Sequence, residues 1–313
     1  MNSEVDVAPV SLSGHIDTVH PLGMFGTPAV KRDDENIYGP GVTDCKGGVV
    51  AALLAMDALE KSGFKKRPVM LLLQTDEENN CQTSNAETIK YICEKSINSV
   101  VFLNLESYTP GMATLSRKGI LSYRFDIVGK ESHSSRCVTE GANAIVDAAH
   151  KIIELDKFKD DDGITCSCGI VSGGTVVNTI AGNCSFSVNF RYKTNEQLEY
   201  IENFIKNLAA TEHVKGCKCT YEKFEYRPSM EEKEVNVKMF EKINKIFADN
   251  NIPTLKGRML RGGSDAAYVT QYGIPCVDSL GTEGGGSHSI KEFAKLRSLP
   301  ESAKRIAAIV FNI

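Results

Sequence analysis

Val69-Met70-Leu71-Leu72-Leu73-Gln74-Thr75-Asp76-Glu77-Glu78 is an apolar run of strand length that opens after Pro68 and closes on adjacent carboxylates. The run is too short for a typical helix and reads as a buried strand. In open α/β sheets the carboxyl ends of the strands form the rim where ligands bind. Like charges side by side on that rim cost energy unless a proton or a cation neutralises them. A metal ion is the natural candidate if ligands of the right type lie at other strand ends.

Such ligands occur at four further places. Residues 10–13 read as a short strand that delivers Gly14-His15-Ile16-Asp17-Thr18-Val19. On an extended backbone His15 and Asp17 share a side, and a ligating histidine usually gives its other ring N–H to a carboxylate, a carbonyl or water. Tyr38-Gly39-Pro40-Gly41-Val42-Thr43-Asp44-Cys45-Lys46-Gly47-Gly48 is a glycine-rich turn before a helix over 49–59. It lacks the Gly-Lys-Ser/Thr ending of a P-loop, which leaves Asp44 on a constrained loop with two carboxylate oxygens to offer. A strand over 99–105 ends in Glu106, and a strand over 274–280 runs into Gly281-Thr282-Glu283-Gly284-Gly285-Gly286-Ser287-His288. Nitrogen and oxygen donors in this mixture suit Zn²⁺, with Co²⁺ or Mn²⁺ accommodated by similar geometry. Three ligands per ion from His15, Asp44, Glu78, Glu106 and His288 require one to bridge two ions, and Asp44 is the least crowded.

Strand and helix alternate from residue 10 to 106, with a helix over 84–95, which predicts a mostly parallel mixed sheet with helices on both faces. The grammar then changes. Leu121, Tyr123, Phe125 and Ile127 alternate with polar residues, as in a strand with one wet face. A helix over 143–155, strands over 165–171 and 184–192, a helix over 198–208 and a strand near 217–224 complete a ferredoxin-like α+β order. This predicts an inserted domain over 116–226 inside a discontinuous domain of residues 1–115 and 227–313. A helix around Val237, Phe240, Ile243 and Phe247 and a closing helix over 301–311 complete the second part.

Composition narrows the function classes. The chain has 313 residues, 42% hydrophobic and 24% charged, and a formal charge of −4. That is globular material with no basic footprint for nucleic acid and no basic amphipathic segment for a membrane. No signal-peptide pattern or transmembrane-length apolar run is visible, so the expected location is cytoplasmic. The ten cysteines are too sparse for a disulfide scaffold and lack Cys-x-x-Cys spacing, and they read mostly as reduced packing residues.

The order of these motifs, together with Ser132-His133-Ser134 and Gly262-Gly263-Ser264-Asp265-Ala266-Ala267-Tyr268, resembles the co-catalytic zinc carboxypeptidase and deacylase superfamily. The closest resemblance is to the glutamate carboxypeptidase type, and it spans nearly the whole chain. It implies two Zn²⁺ per subunit, with His15 and Glu106 on one, Glu78 and His288 on the other, and Asp44 between them. It further implies Glu77 as general base, Asp17 as the group that orients His15, and a cis peptide at Asp44-Cys45. The insertion then becomes a lid and dimerisation domain. Its His133 reaches the site of the partner subunit to stabilise the tetrahedral oxyanion, and the chain is expected to form a homodimer through 116–226. Val177-Asn178-Thr179 and Phe190-Arg191-Tyr192 resemble the segments that hold the substrate's carboxylate. Independently, Phe186, Val188, Phe190 and Tyr192 share one strand face, which turns Arg191 to the other.

The activity implied is hydrolysis of a peptide or amide bond next to a carboxylate-bearing amino acid, on a small peptide or N-acyl amino acid. The alternative is an N-acyl-amino-acid deacylase of the acetylornithine deacetylase, succinyl-diaminopimelate desuccinylase or aminoacylase type, and a remote one is an inactive metal-binding dimer scaffold. Three departures from the family pattern stand out. Only 14 residues precede His15, where the family has a helix and a strand, as in a truncated frame, a fragment or a compact variant. Asn189 stands where relatives often have Asp, and Ser107 replaces a proline after Glu106.

Overall fold

The computed structural model describes all 313 residues. The chain divides into two units, one of Met1–Arg117, Met230–Leu260 and Ser264–Ile313, the other of Lys118–Ser229 with Arg261–Gly263.

The first unit is built on four parallel strands in the order Cys276–Val277, Val101–Asn104, Val10–His15, Val69–Gln74. Alternate residues of one strand enter different cores. Val101 and Leu103 pack with Val10 and Leu12 against the helices Lys46–Lys61, Glu234–Asp249 and Ser298–Asn312. Phe102 and Cys276 pack on the opposite face with Ile89 and Ile92 of the helix Glu87–Ser96 and with Ala266, Ala267 and Val269. The pleat alone produces this division, because successive side chains of a strand point to opposite faces. The sheet is therefore covered on both sides, as a parallel sheet requires.

Two elements differ from the sequence reading. The helix expected from residue 84 starts at Glu87, because Asp76 accepts from the Ser84 N–H and the Thr88 hydroxyl and holds 84–86 as a turn. Asn85 and Ala86 there have positive φ of 51° and 63°, outside the helical region. The strand expected over 274–280 pairs only at Cys276–Val277. Beyond it Asp278 is drawn into a buried polar cluster, accepting from Arg117 Nε at 2.6 Å, Ser264 Oγ at 2.9 Å and Asn104 Nδ2 at 3.0 Å. Small sheets with no sequence signature also form: Lys31–Arg32, Asn36–Tyr38, Phe293–Lys295 and Gly284–Gly285 make an antiparallel set, and Met112–Arg117 pairs in parallel with Lys256–Leu260.

The second unit has a four-stranded antiparallel sheet in the order Lys218–Arg227, Gly119–Val128, Asn183–Tyr192, Thr165–Gly173. Its helices Ala144–Leu155 and Asn195–Ala210 share one core with the apolar faces of the two central strands. Phe125 and Phe186, directly paired across those strands, stack with ring centroids 4.6 Å apart. Asn143 and Thr194 cap the two helices by accepting N–H bonds in the first turn. Ser122, Asn189 and Glu225 join in a polar cluster through Ser122 Oγ and Asn189 Nδ2. No helix of the chain is long and apolar enough to cross a membrane.

Candidate metal centre

The carboxyl ends of three sheet strands supply most of the centre. His15 is the last residue of its strand, Glu77 and Glu78 follow the strand Val69–Gln74, and Glu106 lies two residues beyond Asn104. Asp44 comes from the loop that enters the helix Lys46–Lys61, and His288 from the loop after Gly284–Gly285. Close packing fixes the entry of that helix. A Cβ on Gly48 would stand 2.1 Å from the Leu105 carbonyl oxygen, and one on Gly47 would stand 2.5 Å from that of Val42.

These six residues converge. Asp44 directs its two oxygens to different histidines: Oδ1 is 3.1 Å from His15 Nε2, and Oδ2 is 3.4 Å from His288 Nε2. His15 Nε2 also lies 3.7 Å from Glu106 Oε1, and His288 Nε2 lies 3.1 Å from Glu78 Oε2. Asp17 stands behind His15, with Oδ1 3.5 Å from His15 Nδ1, while its Oδ2 accepts the Glu78 N–H at 3.0 Å. Glu77 is buried, and its charge is felt by Glu78, Glu106 and Arg117. The Asp44-Cys45 peptide is cis. Ser107, where the family pattern has proline, donates its hydroxyl to the Thr43 carbonyl at 3.1 Å and steadies the same loop.

More negative charge meets here than the protein alone neutralises. Burial and then the neighbouring Asp44 carboxylate push Glu78 up to about 7. The same two causes raise Glu106 well above the usual carboxylate range. Asp44 is buried too, yet the His15 imidazole beside it holds it below its ordinary value. For His15, burial disfavours the imidazolium, but the neighbouring Cys45 and then the hydrogen bonds to Asp17 and Asp44 outweigh it and shift the ring upward from its ordinary value. Cys45 Sγ lies near His15 and Glu106 as well. Burial pushes its thiol up to about 12, however, and its sulfur accepts the His15 N–H at 3.0 Å, which marks it as a neutral packing group. Two histidine–carboxylate sets sharing one carboxylate form a donor set that divalent cations with nitrogen and oxygen preference fit.

A pH dependence follows from Glu78. Its carboxyl is raised in the folded chain, so its contribution to stability is complete below about 4.5 and is lost as pH rises through about 7. Metal-free protein is expected to melt higher at pH 5 than at pH 7.5, with Glu78 alone accounting for at most about 2 kcal/mol once solvent screening is allowed for. A bound divalent cation favours the carboxylate and flattens that slope. Thermal melts at the two pH values, with chelator and with zinc, check this; parallel slopes in both series would contradict it.

In the second unit His133 and Asn178 come together and Arg191 does not join them. Ser132–His133 pairs with Thr179–Ile180, and Ser134 N–H donates to the Asn178 carbonyl at 2.9 Å. Both side chains are exposed, and His133 Nδ1 lies 2.9 Å from the Ser135 hydroxyl. Arg191 sits half-buried at the far end of the strand Asn183–Tyr192, near Glu225 and Arg227. At ~3.4 Å per residue, roughly 27 Å of strand separates it from the end nearest the His133 hairpin.

Sequence reasoning missed Glu292. It is buried and receives three backbone N–H groups from the loop that carries Asp44. Nothing local distinguishes it from a solvated glutamate; its position four residues past His288 is the one available signal.

Comparison with known proteins agrees with this architecture. The chain is 25% identical over 307 residues to carboxypeptidase G2 of a Pseudomonas species, covering 96% of this chain and 73% of that protein. It is 26% identical over 312 residues to succinyl-diaminopimelate desuccinylase of Rickettsia massiliae, covering 91% and 78%. Two further relatives are spanned over 57% and 55% of their own lengths. Among solved structures, aminopeptidase PepT of Bacillus cereus has the same fold, with a TM-score of 0.79 at 21% identity over 98% of this chain and 81% of that one. The family described as peptidase family M20/M25/M40 matches residues 11–312, from the strand that ends in His15 to the last helix. The chain thus belongs to peptidase family M20/M25/M40, a family of metallopeptidases and related amide hydrolases.

Proposed function

We propose that this chain hydrolyses a peptide or amide bond adjacent to an amino acid with a free carboxylate, using two divalent metal ions, zinc in the first instance. The observation that carries the reading is the division of Asp44, one oxygen toward His15 and Glu106, the other toward His288 and Glu78. His15 and Glu106 would hold one ion, Glu78 and His288 the other, with Asp44 shared. When bound, such a pair polarises the scissile carbonyl and makes water a competent nucleophile at neutral pH.

The remaining steps fall to the chain's own groups. Glu77 takes the proton from the attacking water and passes it to the leaving amine. Asp17 fixes the ring direction of His15, so that Nε2 faces the centre. Arg191 pairs with the substrate's carboxylate, for which a planar guanidinium is suited. Arg191 lies far along the strand from His133 and Asn178 in one chain, so a small substrate would meet Arg191 of one subunit and His133 and Asn178 of a second. This is the homodimer reading, with His133 stabilising the oxyanion in trans.

Metal content with a substrate panel tests the activity. Purified protein should carry two zinc ions per chain and release the C-terminal residue from N-acylated or glutamyl peptides. Fewer than two ions at saturation, or no turnover of any amide in the panel, would remove the reading. The similarity to a desuccinylase over most of the chain supports a second reading, an N-acyl-amino-acid deacylase; preference for short acyl groups over peptides would select it. For action in trans, a one-to-one mixture of H133A and E77A chains should regain about a quarter of wild-type activity, because half of randomly exchanged dimers hold one intact site. No recovery after demonstrated exchange would assign His133 elsewhere.

A further inference from the structure

Glu292 is 1% exposed and lies four residues after His288. Its Oε2 accepts the Gly41 N–H at 2.9 Å, and its Oε1 accepts those of Thr43 at 3.0 Å and Asp44 at 3.1 Å. His20 Nε2 stands 3.3 Å from Oε2, its ring held edge-on against Phe25 at 4.8 Å. The main chain adds to the tie. Gly39 N–H donates to the Glu292 carbonyl at 3.3 Å, and Phe293–Lys295 continues as the antiparallel partner of Asn36–Tyr38.

The loop on the other side of Glu292 is equally constrained. Ser289 N–H donates to the Gly286 carbonyl and Glu292 N–H to the Ser289 carbonyl, each at 3.1 Å. Gly286 has φ of +71°, and a Cβ on it would stand 2.6 Å from the Lys291 carbonyl oxygen. His288 takes φ of +63°, a left-handed conformation uncommon for residues other than glycine and found where the surroundings over-determine the backbone.

We propose that Glu292 is a positioning residue of the metal centre, whose carboxylate locks the loop carrying Asp44 onto the loop carrying His288. The inference rests on the two-metal reading above. An ionised carboxylate that accepts three N–H groups forms charge-assisted bonds, stronger than those between neutral partners, and three amides turned toward one point make a fixed anion nest. With Glu292 in it, the turn from Gly41 to Asp44 has one direction, and the Asp44 oxygens stand 3.1 Å from His15 Nε2 and 3.4 Å from His288 Nε2. Removing the negative charge leaves the amides directed at a weaker acceptor. In glutamine the amide NH₂ would face an N–H donor, and the loop would lose its single setting.

The test is zinc affinity, by competition with a chromophoric chelator, on wild type, E292Q and E292D confirmed as folded by circular dichroism. D147N in the second unit, where Asp147 pairs with the buried Lys151, serves as the control for general destabilisation. The expected result for E292Q is zinc binding weakened by about 10- to 100-fold, the range for groups that orient metal ligands. E292D, which keeps the charge on a shorter arm, should fall between E292Q and wild type and serves if E292Q fails to fold. D147N should bind as wild type. Wild-type affinity in both Glu292 variants, or equal weakening in D147N, would overturn this inference while leaving the two-metal reading in place. A wild-type chain that takes up no zinc would overturn that reading, and this inference with it.

Discussion

Replacing Glu77 by glutamine is expected to lower turnover by about 10³- to 10⁴-fold while both metal ions remain bound. The size reflects loss of a positioned general base, for which about 10²- to 10⁴-fold is typical, with the upper part expected because the same group acts twice, on the water and on the leaving amine. Retention of metal follows from geometry. The ligand atoms that face one another are those of His15, Asp44, Glu78, Glu106 and His288. Glu77 stands beside them as a buried acid at the end of the strand Val69–Gln74. Metal analysis and steady-state kinetics on the same preparation separate the two effects. Unchanged turnover would take the base role from Glu77, and loss of metal along with turnover would make it a ligand instead.

The second large effect is expected at Asp44. D44N should weaken binding of both ions by about 100-fold or more and reduce activity to background, because a bridging carboxylate serves two charges at once and asparagine has one oxygen and no charge. Substitution of His288 by alanine should weaken one ion and spare the other, since His288 faces Glu78 and Asp44 and His15 is approached separately by Glu106. Titration with zinc or cobalt resolves the two patterns. If D44N fills two sites at wild-type affinity, the shared-carboxylate arrangement is wrong. If H288A loses both ions together, the two sets are not separable.

Much of the architecture is readable locally because strand and helix periods differ. Residues 69–74 form a six-residue strand because an apolar run after Pro68 is too short for anything else. The alternation at Leu121, Tyr123, Phe125 and Ile127 becomes the buried face of Gly119–Val128. Arg191 turns from the core because its neighbours Phe190 and Tyr192 enter it. Elements of two or three residues escape such reading, since a period needs several repeats to show. That is why Asn36–Tyr38 and Phe293–Lys295, the pair that joins the Asp44 loop to the His288 loop, left no mark in the sequence. Asp76 was legible as an acid but not as the group that ends the turn before Glu87, because its partners Ser84 and Thr88 become neighbours only once the chain has folded back.

From the sequence alone come the family resemblance, the parallel α/β grammar with its α+β insertion, and the list of residues at strand ends. Each depends on pattern along the chain, which short-range stereochemistry controls. Tertiary structure decided what depends on distances through space: that Asp44 faces two histidines 273 positions apart, that Cys45 turns its sulfur to the His15 backbone, and that Glu292 closes on the amides of 41–44. Hydrogen bonds form at about 3 Å and charge interactions fade beyond about 10 Å, and residues remote in sequence reach those ranges only when the sheet and its loops have formed.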